Sequence, residues 1–153
     1  MNENMKKVLD AMERTVKLQE AYNMMEEAGN EEGKNAIRMA FEAFNEEMQK
    51  LDEEISGFGF IYRVVKTAKE CGNELIDICE PIHFISEEEL AEAFKAFGIE
   101  KFTMSSTWSS AIEVAYKFDK AGYKVSGITE INDRFEDFHG NRKMIPALMF
   151  ELQ

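Results

Sequence analysis

The chain has 153 residues, 30 of them acidic and 18 basic, for a formal charge of −12. That length suits one domain, or one domain with a helical extension, and a 44% hydrophobic content with 12 Phe and 2 Pro excludes a disordered chain. A pI near 4.7 argues against direct binding of DNA, RNA or anionic membranes, which need basic faces. No apolar run reaches the roughly 18 residues needed to span a bilayer. The opening MNENMKKVLDAMERT lacks the apolar stretch and cleavage site of a signal peptide. Two cysteines, Cys71 and Cys79, are too few for a disulfide framework and point to a reducing, cytoplasmic compartment.

Charge is distributed unevenly. Residues 1–56 hold 14 acidic and 7 basic groups, residues 57–99 hold 8 and 4, and residues 100–153 hold 8 and 7. The N-terminal part is therefore an acidic module, and the C-terminal part is almost neutral. A solvated helix face explains such an excess without any partner, and the other reading is a partner-facing surface.

Residues 3–28 read as an amphipathic helix, with Met5, Val8, Leu9, Met12 and Val16 on one stripe that rotates into Leu18, Tyr22 and Met25. Ala28-Gly29-Asn30 is a stop signal. In residues 31–55, Ile37, Phe41, Phe44, Met48, Leu51 and Ile55 recur at intervals of 4, 3, 4, 3 and 4, a coiled-coil seam. The short connection predicts an antiparallel hairpin, with a seam able to pack within the chain or across a dimer. Ser56-Gly57-Phe58-Gly59 breaks the pattern as a hinge, and a third helix is expected at about 60–71. Residues 74–79 read as a short strand ended by Pro81. Ser86 and Glu89 form a capping box that opens a helix to about Phe97.

Residues 101–104 read as a strand, 107–121 as a helix with Ile112, Ala115 and Phe118 inward, 123–131 as a strand and 144–152 as a last strand. Pro146 places that last strand at an edge or at its own beginning. The order strand-helix-strand-strand predicts a right-handed parallel crossover followed by an antiparallel partner. The expected class is α+β: an acidic helical hairpin (1–56), a connecting helix and short strand (57–85), and a small β-α-β-β sheet domain with helices on one face (86–153).

The most distinctive stretch sets Ser105, Ser106, Thr107, Trp108, Ser109 and Ser110 where a strand turns into a helix. Free amides and the positive end of the helix dipole make that junction an anion site. Simple capping by Ser106, Thr107 or Ser109, with Trp108 packed under the sheet, accounts for the same residues. No Gly-rich phosphate loop with its Lys and no G-x-S-x-G surrounds them. Two Glu-x-x-His spacings, Glu80 to His83 and Glu136 to His139, fall on a Pro-containing segment and a charged loop rather than on paired bundle helices, so neither indicates a metal. Cys71 and Cys79 have no C-x-x-C partner, and no cofactor motif is present. The loop between residues 132 and 143 carries Phe135 and Phe138, which either anchor a partner or tuck onto the sheet.

The run from Ala96 to Ala111, containing Phe102-Thr103-Met104-Ser105-Ser106-Thr107-Trp108-Ser109-Ser110, with Ala121-Gly122-Tyr123 and Ile145-Pro146-Ala147, resembles a small uncharacterised domain family. The resemblance covers residues 86–152. It implies an association with mobile genetic elements of gut anaerobic bacteria and carries no activity or catalytic residues.

Together these features lead to a non-enzymatic interaction protein, an inhibitor of a nucleic-acid-processing defence enzyme of the anti-CRISPR or anti-restriction type. Its carboxylates would imitate phosphates toward a basic protein surface such as a nuclease channel. The expected contacts are Glu26, Glu27, Glu31, Glu32, Glu42, Glu46, Glu47, Asp52, Glu53 and Glu54. The alternative is a small anion- or ligand-binding domain, or an enzyme, centred on Ser105 to Ser110. A third reading is a structural homodimer joined along the second helix.

Overall fold

The computed structural model describes residues 1–79, 86–105 and 110–153. The elements follow as α1 (Glu3–Glu27), α2 (Glu31–Glu54), α3 (Phe58–Cys71), β1 (Asp77–Ile78), α4 (Glu87–Ala96), β2 (Lys101–Met104), α5 (Ala111–Lys120), β3 (Tyr123–Asn132) and β4 (Met144–Leu152). They form an α+β chain of two compact units, Met1–Tyr62 and Arg63–Gln153, divided within α3. No helix among the described residues is long and apolar enough to cross a membrane.

In the first unit, the Asn2 side chain caps α1 by accepting from the amides of Asn4 and Met5. The turn is closed by Asn30 N–H donating to Met25 O at 2.9 Å, with Gly29 at φ 65°. A positive φ there favours a residue without a Cβ. Asn30 then caps α2 through Gly33 N–H. The expected seam of α2 is seen directly. From 35 to 55 the residues withdrawn from solvent are Ile37, Phe41, Phe44, Met48, Leu51 and Ile55, with every residue between them exposed.

The α1 stripe differs from its expected form, because Val16 is 55% exposed. Thr15 points inward instead, donating to Ala11 O or pairing with the Tyr62 hydroxyl at 2.9 Å. Val8, Ala11, Thr15, Leu18, Tyr22 and Met25 then recur at 3, 4, 3, 4 and 3, so α1 carries a seam complementary to that of α2. What looked like a rotated stripe is a heptad with a small and a polar member. The seam packs within the chain: Arg14 meets Glu47 at 2.5 Å and lies 4.9 Å from the centre of the Phe44 ring, while Arg38 reaches the Tyr22 hydroxyl at 3.1 Å.

In the second unit, the sheet order is β1-β2-β4-β3. β1 pairs with β2 in parallel, and β4 is antiparallel to both β2 and β3. The short strand expected over 74–79 is paired only at Asp77 and Ile78. β2 and β3 run parallel across α5, yet they do not pair, because β4 is inserted between them. The residue types explain the exchange. β4 is nearly continuous in apolar side chains, as suits a strand with neighbours on both edges, whereas β3 carries Lys124, Ser126, Thr129 and Glu130 and takes the outer position. A register shift between Val125 and Gly127 kinks β3, a device that blunts an open edge.

Pro146 therefore lies in an inner strand, contrary to expectation. Alternation of the ladder resolves the conflict. Asp133 N–H donates to Lys143 O, so Ile131 and Ile145 form the next hydrogen-bonded pair and Glu130 and Pro146 a non-bonded one. The nitrogen of Pro146 faces the β2 side, and β2 pairs only with Leu148 to Glu151. Among the described residues, no ladder bond is lost.

α4 and α5 cover one face. The Ser86/Glu89 capping box opens α4 as expected. The inward residues of α5 are Val114 and Phe118, whereas Ile112 is 85% exposed. At about 100° per residue, six residues set Ile112 about 120° from Phe118, whereas Val114, four residues away, shares the Phe118 face. Phe94, Phe118 and Tyr123 surround Phe102, which stacks on Phe150 at 4.8 Å and 5° between planes. The Tyr123 hydroxyl donates to Ile99 O at 2.6 Å, and burial pushes its pKa up to about 12.

Replacing Phe102 with Ala should destabilise the second unit by about 3–5 kcal/mol through the cavity it leaves. Tyr123→Phe should remove about 1–3 kcal/mol by orphaning a buried acceptor. Urea unfolding of each variant measures both, with the larger loss expected at Phe102.

Candidate functional site

Two regions hold the residues singled out in the sequence, one in each unit. On the hairpin, Glu26, Glu27, Glu31, Glu32, Glu42, Glu46, Glu47, Asp52, Glu53 and Glu54 are all exposed. Apolar residues occupy the seam, which leaves the outward positions to carboxylates. Glu32, Glu46 and Glu53 differ by multiples of seven and fall on one ridge of α2, away from the seam. Three of the ten are already engaged. Glu47 holds Arg14, and this hydrogen bond, reinforced by charge attraction, lowers the Glu47 pKa. Glu31 pairs with Lys34 at 3.4 Å. Asp52 accepts from Gly59 N–H at 2.8 Å at the start of α3.

In the second unit, a cavity of about 170 Å³ opens at the carboxyl ends of β1 and β2. Alternation along β2 directs Phe102 into the aromatic cluster and Thr103 to the opposite face, beside its β1 partner Asp77. Asp77 Oδ1 accepts from the Thr103 hydroxyl at 2.6 Å, and Oδ2 accepts from the Ser105 hydroxyl at 2.5 Å. Burial raises the Asp77 pKa, while those two hydroxyls and the charge of Arg134 oppose the rise. α3 contributes Val64, Thr67, Ala68 and Cys71 to the wall, and the β3–β4 connection contributes Asp133, Arg134 and Phe135. Both cysteines line the cavity, and burial pushes the Cys71 thiol up.

The wall is held by side-chain amides. Asn73 donates to Asn132 O and accepts from Asn132 N–H, and the Asn132 amide donates to Cys71 O. The connection itself is ordered by Asp137, whose Oδ1 accepts from the amides of His139 and Asn141. The Arg142 guanidinium binds the carbonyls of Asp133 and Arg134 and the carboxylate of Glu136. Neither aromatic tucks onto the sheet: Phe135 and Phe138 are both exposed, Phe138 fully.

Of the six residues expected around the helix start, Ser105 lines the cavity, while Ser110 is exposed and its side chain makes no capping bond. Ser106, Thr107, Trp108 and Ser109 lie outside the described residues, as does the spacing from Glu80 to His83. Among the described residues, no group of three His, Cys, Asp or Glu side chains is placed to hold a metal. Asp77 is the site residue that sequence reasoning passed over. Its signal was a lone carboxylate within Leu75-Ile76-Asp77-Ile78-Cys79, where burial requires dedicated donors.

The raised pKa fixes the sign of a pH effect. The folded state holds the Asp77 proton more tightly than the unfolded state does, so Asp77 lowers stability as pH rises from the ordinary aspartate value of 3.8 through its folded value. Asp77→Asn should therefore gain on the wild type over that interval, whatever its starting difference. Thermal melts of both proteins across the interval provide the measurement, and a constant difference would contradict the shift.

No curated protein and no solved structure gives a significant match to the chain. The family model described as "Domain of unknown function (DUF7698)" matches residues 60–152, beginning well before the resembling segment at 86 and taking in most of α3 together with β1. The chain belongs to this family of domains of unknown function.

Proposed function

We propose that the protein is a non-enzymatic interaction protein whose acidic hairpin engages a basic protein surface. The observation that carries the reading is the display of carboxylates. All ten candidate side chains are exposed on a hairpin whose seam residues are withdrawn from solvent. α2 has 24 residues, so its outer ridge extends about 36 Å at 1.5 Å per residue. Seven residues correspond to about 10 Å along the axis, the separation of Glu46 from Glu53. Such a row of fixed negative charge suits a channel built to hold a phosphate backbone, and it would be drawn in by the field that steers nucleic acid.

The partner in this reading is a nucleic-acid-processing defence enzyme, inhibited by occupation of its basic groove in the anti-CRISPR or anti-restriction manner. The resemblance of residues 86–152 to a family associated with mobile genetic elements supports that choice, since such elements benefit from blunting host nucleases. The acidic ridge lies outside the matched family segment, which begins at residue 60. Under this proposal the hairpin supplies specificity and the family domain is the scaffold that accompanies it.

Glu32→Lys, Glu46→Lys and Glu53→Lys combined should abolish capture of the partner from host lysate and relieve inhibition of the purified enzyme. Glu47 is left intact in that variant because its reversal would also break the contact with Arg14. Wild-type capture should fall steeply between low and high salt, as screening shortens the reach of exposed charges. Capture and inhibition that survive the triple reversal would sink the proposal.

A further inference from the structure

We propose that the cavity beside Asp77 binds a small organic ammonium ion, a primary amine carried on a compact apolar body. This goes beyond the hairpin reading and does not depend on it.

The cavity lies at the carboxyl ends of two parallel strands, the crevice in which open sheets place their ligands. A dry cavity of about 150 Å³ accommodates benzene, so about 170 Å³ suits a ligand of six to eight non-hydrogen atoms. Val64, Ala68 and Ile145 give it an apolar wall. The same cavity is lined by Asp77, held by the hydroxyls of Thr103 and Ser105. An ionised carboxylate has about four acceptor positions. The two hydroxyls and the Ser105 backbone N–H occupy three of them, which leaves one for an incoming N–H donor.

Charge selects the ligand class. Among the described residues that line the cavity, Asp77 and Asp133 stand against the guanidinium of Arg134, a balance that attracts a cation and repels a phosphate or carboxylate. Desolvation penalises the charged Asp77, and Arg134 offsets that only in part, so a further positive charge beside the carboxylate is favourable. An ammonium entering beside Oδ1 and Oδ2 would supply that charge and a directed donor together. Ser105 thus takes part by orienting the carboxylate rather than by meeting the ligand itself.

Titration of the full chain, followed by amide NMR shifts, tests the proposal with benzylammonium, its neutral isostere benzyl alcohol, benzoate and inorganic phosphate as probes. Benzylammonium should shift the amides of Asp77, Ser105 and Asp133 saturably at millimolar concentration, and it should bind at least about tenfold more tightly than benzyl alcohol. Asp77→Asn should reduce its affinity by about tenfold while leaving the amide spectrum dispersed, and Asp133→Asn should weaken it less. The proposal is overturned by any of three results: no saturable shift with benzylammonium, equal binding of benzyl alcohol, or saturable shifts at these amides with benzoate or phosphate. If Asp77→Asn fails to fold, the ranking of the four probes on the wild type decides alone.

Discussion

The stack of Phe102 on Phe150 is the contact from which the rest of the second unit follows. It joins β2 to β4 at the middle of the sheet, with ring centres 4.8 Å apart, and receives Phe94 and Phe118 from the covering helices and Tyr123 from β3. Once β4 is drawn against β2, β3 has only the outer edge left. The ladder phase then sends the Pro146 nitrogen to the β2 side, beyond the paired stretch Leu148 to Glu151. The same phase turns Thr103 away from the aromatic cluster and toward Asp77. Packing on one face thereby sets the chemistry on the other.

That opposite face carries a carboxylate in an otherwise apolar strand, and its two hydroxyl donors come from a neighbouring strand and the residue after it. Burying an ion is tolerable only when such donors meet both oxygens. The amide exchange between Asn73 and Asn132 closes the wall from the far end of β3. Side chains separated by dozens of residues in the chain thus become one polar lining. The hairpin works on the contrary principle. Its contacts are local in register, most of its polar residues are displaced outward, and the inward hydroxyl of Thr15 is satisfied by Ala11 O and Tyr62.

Much of this was legible in the chain. The intervals from Ile37 to Ile55 named the α2 seam residue by residue, because a heptad is a local property of one helix. The Ser86/Glu89 box was equally readable, since both partners sit within one turn. Ile112 and Val16 went the other way. Each was assigned to a face by apolar character, whereas the i, i+4 pair Val114 and Phe118 and the polar seam member Thr15 are what face the interior. Phe135 and Phe138 remain outside because Asp137 and Arg142 hold their connection by backbone and charge contacts rather than by burying aromatics.

By itself, the sequence determined the class of the protein, the division of its charge and the outward carboxylates of the hairpin, all of which follow from composition and local periodicity. Tertiary structure alone decided the insertion of β4, the tolerance of Pro146 and the meeting of Asp77 with Ser105, Asp133 and Arg134. The physical reason is that a helix seam repeats within a single segment, whereas strand order and a cavity depend on which distant surfaces bury the most apolar area together. Only when Phe102 chose Phe150 did the carboxylate of Asp77 acquire its surroundings.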